Sequence, residues 1–576
     1  MIPTPTHADR HFRPPDFGDI TEALDFAATG GTGVNIYSPR GELLEVMPYR
    51  ELREAAIRLA HGLLASGLVA GDRVGLIAET DADFIRAFFA CQYAGLAPAP
   101  LPLPAPFGGR AGYVEHIARM LESAGAKAVF GPASLRDWLE EAGAGLGLKI
   151  SGAIGDIDLA GGSGALPAID RDGLSYLQFS SGSTRFPLGV AVTHGALMAN
   201  CSAIGRHGLK VGPADRAVSW LPLYHDMGLI GFFLAPMACQ VSLDLLPTAA
   251  FVRRPLLWLD LISRNRASIS YSPTFGYELC ARRAETMSVD GLDLSTWRAA
   301  GIGGDMIRPH VMGAFAERFA PAGFDSSAFV ASYGMAEATL ALSFAPLGRG
   351  LRTETLDVDL LERQQVAAEP RARSSRTREF ALCGPPLPGH DLVVRGDDGA
   401  ILPDRSVGRI FARGPSLMHA YFEQPEETGR VLSADGWLDT GDIGYFTGGE
   451  IVITGRAKDL IIVNGRNVWP QDLEWTAEAE VAPLRSGDVA VFSIPGEGEE
   501  KVVAVVQCRT SDPSARDGIS TEVAGCLRAR HGIEAEVVLA PAHALPRTSS
   551  GKLSRSRAKA MFQAGAFKPD TATVTA

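Results

Sequence analysis

The 576-residue sequence has few cysteines and no cysteine pairing motif. Its seven cysteines are an odd number, lie far apart and include no C-x-x-C pair. This pattern argues against a disulfide framework and against a zinc site, and it favours a reducing, cytoplasmic location.

Runs of lysine or arginine are also absent, and the formal net charge is −12. A nucleic-acid-binding protein needs a basic surface, so we expect no nucleic-acid partner. Residues 1–15 lack the apolar run of a signal peptide. The most apolar stretch, residues 227–243, is short and is interrupted by Gly231 and Pro236. We interpret it as buried core and expect no transmembrane segment.

The hydrophobic fraction of 46% and the charged fraction of 21% are those of an ordinary globular protein. From Tyr49 onward, helical and strand patterns alternate. The first helix shows an apolar stripe of Leu52, Ala56, Leu59 and Leu63. Residues 74–78 follow as a strand, and Thr80 is placed to cap the next helix. This order predicts an α/β fold in which sheets are sandwiched by helices.

Changes of pattern along the chain suggest its division into domains. We predict a large N-terminal domain over residues 1–455, with a polar surface insertion or mobile loop at about 342–380. A small, mobile α+β domain is predicted over residues 456–576. Its elements are strands at 488–493 and 502–508, a helix at 521–530 and a strand at 537–539.

A loop of small hydroxyl residues follows the strand-like residues 174–179. It contains Ser180, Ser181, Gly182, Ser183 and Thr184. Consecutive backbone N–H groups and hydroxyls in such a loop can converge on a phosphate. No Gly-Lys-Ser/Thr closes the loop, so it is not a Walker motif. A solvated serine and glycine turn is the alternative interpretation.

Two further segments combine glycine with a charged residue. Asp442 lies in a glycine turn that could accept both hydroxyls of a ribose, and Arg456 could neutralise phosphate. Lys552 lies in a C-terminal loop of glycine, arginine and hydroxyl residues that could carry its charge into a distant site. Taken singly, such segments are more often an ordinary turn and a solvated basic tail.

Together and in this order, these segments and residues 333–337 resemble the adenylate-forming superfamily of acyl-CoA synthetases, luciferases and adenylation domains. Three segments are most similar to the fatty acyl-AMP ligases, namely residues 220–229, 336–340 and 465–474. The insertion after Leu342 also sits where that family carries an extra segment. There it is thought to restrict the small domain and to disfavour CoA chemistry.

The resemblance implies ATP-dependent activation of a medium- or long-chain fatty acid to an acyl-adenylate, with release of pyrophosphate. The acyl group would pass to the phosphopantetheine arm of an acyl carrier protein. Lys552 would stabilise the transition state, with His225 and Glu337 as further catalytic residues. Thr184 and Glu337 would serve Mg²⁺, and Lys458 would be the hinge.

The resemblance also assigns binding residues. Those expected to bind ATP are Ser180, Ser181, Gly182, Ser183, Thr184, Gly303, Gly304, Asp305, Ser332, Tyr333, Gly334, Met335, Asp442 and Arg456. Those expected to line an acyl pocket are Met227, Ile230, Phe233, Met237, Phe275 and Ile302. The acyl residues could instead be plain core, and His225 could instead cap the helix that follows it.

Two alternatives remain at this point. The first keeps the chemistry and gives the acyl group to free CoA. The second is a catalytically silent nucleotide- or acyl-binding regulator, because Leu188 stands where the family's phosphate loop usually carries lysine. Arg185 could compensate for that missing charge.

Overall fold

The structure, a computed structural model, describes residues 12–104, 109–159, 164–180, 187–372, 374, 376–463, 465–496, 500–548 and 551–567. Helices and strands alternate along most of this length, and the predicted α/β fold is confirmed. Among the described residues, no helix has both the length and the apolar character needed to cross a membrane.

The helices follow one another through the whole chain. They are α1 (Ile20–Ala27), α2 (Tyr49–Ala65), α3 (Ala82–Tyr93), α4 (Gly109–Ser123), α5 (Arg136–Gly143), α6 (His194–Ser202), α7 (Ala235–Ala238), α8 (Thr248–Arg253), α9 (Leu256–Asn265), α10 (Thr274–Ala284), α11 (Pro309–Phe319), α12 (Val358–Gln364), α13 (Pro425–Val431), α14 (Pro470–Glu480), α15 (Pro513–His531) and α16 (Arg555–Gln563). Ala203–Gly208 and Met227–Leu234 are π-helical.

The strands form several sheets. They are β1 (Gly33–Tyr37), β2 (Leu43–Pro48), β3 (Arg73–Ile77), β4 (Ala97–Leu101), β5 (Ala128–Gly131), β6 (Ile150–Ala153), β7 (Leu174–Phe179), β8 (Gly189–Thr193), β9 (Arg216–Ser219), β10 (Ser242–Leu245), β11 (Ile269–Ser272), β12 (Ala299–Ile302), β13 (Phe329–Gly334), β14 (Ala341–Phe344), β15 (Thr353–Asp357), β16 (Thr377–Ala381), β17 (Asp391–Arg395), β18 (Gly408–Arg413), β19 (Ala420–Tyr421), β20 (Leu438–Thr447), β21 (Glu450–Arg456), β22 (Ile461–Val463), β23 (Arg466–Val468), β24 (Val489–Pro495), β25 (Glu500–Cys508) and β26 (Ala535–Pro541).

The largest sheet determines where a site can form. Its strand order is β14-β13-β12-β11-β9-β10-β1-β2. The strands from β1 to β13 in this order pair in parallel, and only the edge strands β2 and β14 are antiparallel. Parallel strands end at one common edge, so the turns after β9, β11, β12 and β13 lie side by side there.

A second, fully parallel sheet has the order β4-β3-β5-β6. Helix α2 buries the predicted stripe of Leu52, Ala56, Leu59 and Leu63. The prediction for the next helix cap was wrong by one residue. Asp81, not Thr80, caps α3, because its carboxylate accepts a hydrogen bond from the Phe84 N–H at 2.8 Å.

The proline-rich segment that follows α3 is partly a strand. Its first half forms β4, and the prolines are tolerated because β4 is an edge strand of its sheet.

The polar stretch at about 342–380 is more ordered than a loop. Strands β15 and β16 form a hairpin that encloses α12. Leu356, Leu361 and Phe380 are buried against Tyr445 and neighbouring residues, so this insertion has a small core of its own. The sequence pattern did not predict this core, because its few apolar residues are separated by many charged ones.

Buried ion pairs join this insertion to the C-terminal part of the chain. Glu362 on α12 is only 2% exposed and accepts hydrogen bonds from Arg466 Nε and Nη2 at 2.9 and 2.6 Å. Arg376 donates to the other carboxylate oxygen of Glu362 at 2.8 Å. Arg378 of β16 donates to Asp472 of α14 at 2.7 Å.

The C-terminal elements lie where the sequence predicts them. Strands β24 and β25 pair antiparallel, β26 pairs in parallel with β25, and α15 covers this sheet. Helix α15 begins eight residues before the predicted helix, because Asp512 caps it and Pro513 occupies its first turn. The boundary between residues 455 and 456 stays a prediction.

All seven cysteines lie in the described part of the chain and are free. Six of them are buried. Cys526 on α15 is partly exposed, and its thiol lies 3.5 Å from a carboxylate oxygen of Glu480.

A buried charged group ties the middle strands of the largest sheet together. Arg216 of β9 forms a two-point pair with Asp244 of β10, with both N–O distances at 2.7 Å. Asn35 of β1 donates to the same carboxylate at 2.6 Å. Arg216 and Asp244 are 3% and 0% exposed, so water cannot replace either partner.

We therefore expect Asp244→Ala to lower the free energy of unfolding by about 3–5 kcal/mol, because it leaves a buried guanidinium without its carboxylate. Urea unfolding followed by circular dichroism measures this. The control is Asp260→Ala, which breaks the half-exposed pair with Arg264 and should cost about 0.5 kcal/mol or less. Equal losses in the two variants would contradict the role given to the buried pair.

Candidate active site

A cavity of about 530 Å³ opens at the carboxyl edge of the largest sheet. It lies between the turns after β12 and β13, the start of the second π-helix, strands β20 and β21, and the C-terminal loop that carries Lys552. The predicted site residues that line it are Ser180, His225, Met227, Gly303, Gly304, Ser332, Tyr333, Gly334, Met335, Glu337, Arg456, Lys458 and Lys552.

Other predicted residues lie beside this cavity or outside the described residues. Asp442 is buried directly behind the wall, and Asp305 is exposed next to Gly304. Ser181, Gly182, Ser183 and Thr184 lie outside the described residues. The parts assigned to these residues therefore stay predictions.

Lys552 reaches the cavity from the far end of the chain. A Cβ atom placed on Gly304 would lie 3.7 Å from Lys552 Nζ, and Gly304 adopts a φ of +77° that disfavours a side chain. Within the described part of the chain, Lys552 forms no salt bridge. Burial lowers the pKa of Lys552, while Asp305 and Asp226 act in the opposite direction. Its ammonium group thus has nearby counter-charges but no ion-pair partner among these residues.

His225 and Asp226 form a pair on the wall near Lys552. His225 Nδ1 lies 2.7 Å from Asp226 Oδ1, and the same carboxylate accepts the Met227 N–H at 2.7 Å. Burial pushes the pKa of Asp226 up, but His225 and Lys552 outweigh this effect and the pKa is lowered. The Met227 N–H also lies 3.3 Å from His225 Nδ1, so Asp226 is the closer of the two acceptors at the start of the π-helix.

Asp442 is held by two neighbours at the corner formed by β13, β20 and β21. Tyr333 donates its hydroxyl to Asp442 Oδ2 at 2.8 Å, and Arg456 Nε lies 3.2 Å from Oδ1. Gly441 precedes it with a φ of +72°. The carboxylate is thus fixed in place by a phenol and a guanidinium, and it is 4% exposed.

Glu337 is the candidate metal ligand among the described residues. Tyr421 donates to Glu337 Oε1 at 2.8 Å, and burial raises the pKa of this carboxyl group. The described residues include no group of three acidic, histidine or cysteine side chains suited to a metal ion. Mg²⁺ often binds through one carboxylate together with substrate phosphates and water, and Glu337 fits that mode.

The apolar end of the cavity differs from the predicted acyl pocket. Among the predicted lining residues, only Met227 is on its wall. Ile230, Phe233, Met237 and Ile302 are fully buried, and Phe275 packs against Trp220 with ring centroids 5.8 Å apart. The apolar wall is instead formed by Ile204, Leu209, Gly231, Phe232, Tyr271, Leu340 and Phe344.

The backbone of Met227–Leu234, which is π-helical and kinked at Phe232 with a φ of −127°, explains the difference for Ile230 and Phe233. Met227, Gly231 and Phe232 lie on the cavity wall, whereas Phe233 packs against Phe88 and Phe89 behind it. A π-helix makes i→i+5 hydrogen bonds, so its faces depart from the spacing of an α-helix. Both π-helical stretches contain two glycines, at 205 and 208 and at 228 and 231, but these glycines alone do not predict a π-helix.

The loop that carries Lys552 is held by Arg555 at the start of α16. Arg555 forms a two-point pair with Glu474 at 2.7 and 2.6 Å, and its Nη1 donates to Asp459 at 2.9 Å. Asp459 adjoins Lys458, the predicted hinge residue, which is exposed and lines the cavity. One guanidinium therefore connects the lysine loop to the segment that follows β21.

The fold agrees with the comparisons to known proteins. The AMP-binding enzyme family matches this chain over residues 44–422. The Caulobacter vibrioides protein named "Putative acyl-CoA synthetase" is 63% identical over 98% of this chain and 99% of its own length. The medium-chain-fatty-acid acyl-carrier-protein ligase JamA of Moorena producens is 32% identical over 96% of each chain.

A solved structure from a study of fatty acyl-adenylate ligases from E. coli and L. pneumophila superposes with a TM-score of 0.92. It is 41% identical, over 96% of this chain and 99% of that chain. The chain belongs to the AMP-binding enzyme family and is an adenylate-forming ligase. Its resemblance to the fatty acyl-AMP ligases, expected from the motifs, is confirmed.

We expect Arg555→Ala to lower the rate of adenylate formation by about 100-fold, because a shift of about 1 Å in a reacting group costs that much. Arg555 does not line the cavity, so the KM for ATP should change much less than kcat. The control is Arg557→Ala, an exposed residue on the same helix. Pyrophosphate exchange kinetics measure both constants, and a normal kcat in Arg555→Ala would contradict the positioning role.

Proposed function

We propose that this enzyme activates a medium- or long-chain fatty acid with ATP and hands the acyl group to the phosphopantetheine arm of an acyl carrier protein. In the first step, a carboxylate oxygen attacks the α-phosphorus and the bond to the β-phosphate oxygen breaks. Acyl-adenylate and pyrophosphate are the products. In the second step, the carrier thiol loses its proton and forms a thioester, and AMP leaves.

The main support for this proposal is the position of Lys552. Its ammonium group enters the same cavity as His225, Glu337 and Arg456, although it lies more than 90 residues beyond the nearest of them in sequence. Attack of a carboxylate on a polyanionic nucleotide needs charge compensation where the new bond forms. A lysine without an ion-pair partner among the described residues is suited to that task.

The remaining walls suit the nucleotide. Gly303, Gly304 and residues 332–334 would form the adenine slot, because glycines let a flat ring approach the backbone. Asp442 would accept the ribose hydroxyls, with Arg456 beside it. Glu337 would contribute to Mg²⁺ binding, and the bound ion would offset phosphate charge. Lys458 would act as the hinge.

The apolar end of the cavity suits an alkyl chain. Met227, Phe232, Leu340 and Phe344 present carbon surface, and each methylene buried there would add about 0.8 kcal/mol. A panel of acids of graded length in the pyrophosphate exchange assay tests this proposal. We expect exchange to increase with chain length until the wall is reached. Exchange that depends only on short or polar acids would contradict a fatty substrate.

The acceptor of the acyl group distinguishes two candidate functions, because relatives carry names of both kinds. The Caulobacter relative favours a second candidate function, in which free CoA accepts the acyl group. The JamA relative favours a carrier protein. The buried pairs of Glu362 and Arg378 support the carrier, because they tie the insertion to the C-terminal part and would resist the movement that CoA chemistry requires.

We expect Lys552→Ala to raise the activation free energy of adenylate formation by about 3 kcal/mol or more, over a hundredfold in rate. Acid-dependent exchange of labelled pyrophosphate into ATP measures this. The matched control is Lys559→Ala, a lysine on the following helix that does not line the cavity. An alanine variant as fast as the parent would refute the central role of Lys552.

We expect Glu362→Gln combined with Asp472→Asn to let CoA thioester form at least about tenfold faster than in the parent, because the charges that fix the insertion are removed. The control is Asp359→Asn, which lies on the same helix and is half-exposed. Supplying ATP, Mg²⁺ and a fatty acid with either CoA or a loaded carrier separates the two acceptors. Efficient thioester formation with CoA by the parent would establish the second candidate function instead.

A further inference from the structure

The end of the cavity next to the loop between β7 and β8, where the phosphates of ATP are proposed to lie, has no charged side chain among the described residues of that loop. Ser180 and Leu188 mark the described ends of the loop between β7 and β8, and both line the cavity. Ser180 N–H donates to the Leu188 carbonyl at 3.0 Å, which closes the base of this loop. Leu188 is apolar, so the side chain at this point of the wall contributes no charge to a polyphosphate.

A neighbouring helix brings arginine to this end. Strand β19 pairs with β8, and the Phe422 N–H donates to the Gly189 carbonyl at 2.7 Å. Helix α13 begins at Pro425, and its Thr428 hydroxyl accepts the Tyr421 N–H at 3.0 Å. The helix is thus fastened to the strand next to Leu188, and its Arg430 lines the same cavity.

Arg430 has hydrogen-bonding capacity left for a ligand. Its side chain is 65% exposed, and within the described residues it pairs only with Glu427, three positions earlier on the same helix. Such a pair within one helix is weak. A guanidinium has five donors in a fork that matches phosphate oxygens. Arg409, another arginine that lines the cavity, is engaged by Asp439 at two points, 3.3 and 2.8 Å.

We propose that Arg430 binds the β- and γ-phosphates of ATP and supplies the cation that Leu188 does not. This inference rests on the proposed function for the identity of the nucleotide. Arg430 is a binding residue for the leaving pyrophosphate and has no part in holding the nucleoside. Replacing it should therefore weaken the binding of ATP while leaving the binding of AMP unchanged.

The test compares ATP and AMP binding by calorimetry, with Mg²⁺ and without any carboxylic acid. We expect Arg430→Ala to weaken ATP binding by roughly ten- to a hundredfold, the range for one lost charge-assisted hydrogen bond, with AMP binding intact. Adding Leu188→Lys to Arg430→Ala should restore at least part of the ATP affinity. Arg413→Ala, which removes a half-exposed arginine of β18 outside the cavity wall, should change neither ligand.

Several outcomes would overturn the inference. Unchanged ATP binding in Arg430→Ala, an equal loss for ATP and AMP, or no recovery with Leu188→Lys would each do so. Arg430→Gln, with its melting temperature measured, replaces the alanine variant if that one folds poorly. ATP binding can be measured without turnover. If Arg430→Ala shows this ATP-specific loss but the parent enzyme activates no fatty acid, the proposed function is refuted and the role of Arg430 in ATP binding stands.

Discussion

Charge balance around a desolvated ammonium group is the constraint on which the site depends. Lys552 enters a partly closed cavity whose walls carry Asp226, with Asp305 and Asp442 close by, and burial lowers its pKa. No carboxylate of the described chain pairs with it directly. The surrounding charges therefore stabilise the cation without neutralising it, which leaves its donors for a substrate. The common edge of the parallel strands provides this arrangement, because it gathers short turns from distant parts of the sequence.

Ion pairs with little solvent exposure join the C-terminal elements to the rest of the chain. Glu362 and Arg378 each pair a residue of the insertion with a residue of the C-terminal part, whereas Arg555 pairs segments within that part. Buried pairs of this kind stabilise little relative to apolar packing, but breaking one partner is costly. They therefore specify one arrangement of these elements and penalise others.

Much of the fold and of the polar site was predictable from the sequence. Alternating periodicity gave the α/β order, and spaced glycine motifs located Asp442, Arg456 and Lys552. The insertion's core and the apolar wall of the cavity were not predictable, for different reasons. In the insertion, few apolar residues are spread among charges. On the apolar wall, the π-helical and kinked backbone of Met227–Leu234 decides which of its side chains face the cavity, and Ile204, Leu209 and Phe344 come from segments with no motif. Arg430 is close to the site only through the pairing of β19 with β8.

The distribution of thiols leaves one cysteine accessible for chemical labelling. Six cysteines are enclosed, whereas Cys526 is partly exposed on α15 of the C-terminal sheet. Burial and the adjacent Glu480 raise the pKa of Cys526 to about 11, so its thiolate is scarce at neutral pH and modification there is slow. Under mildly alkaline conditions, a thiol-reactive fluorophore or spin label would therefore attach at Cys526 on α15. It would report the orientation of that helix without prior removal of the other cysteines.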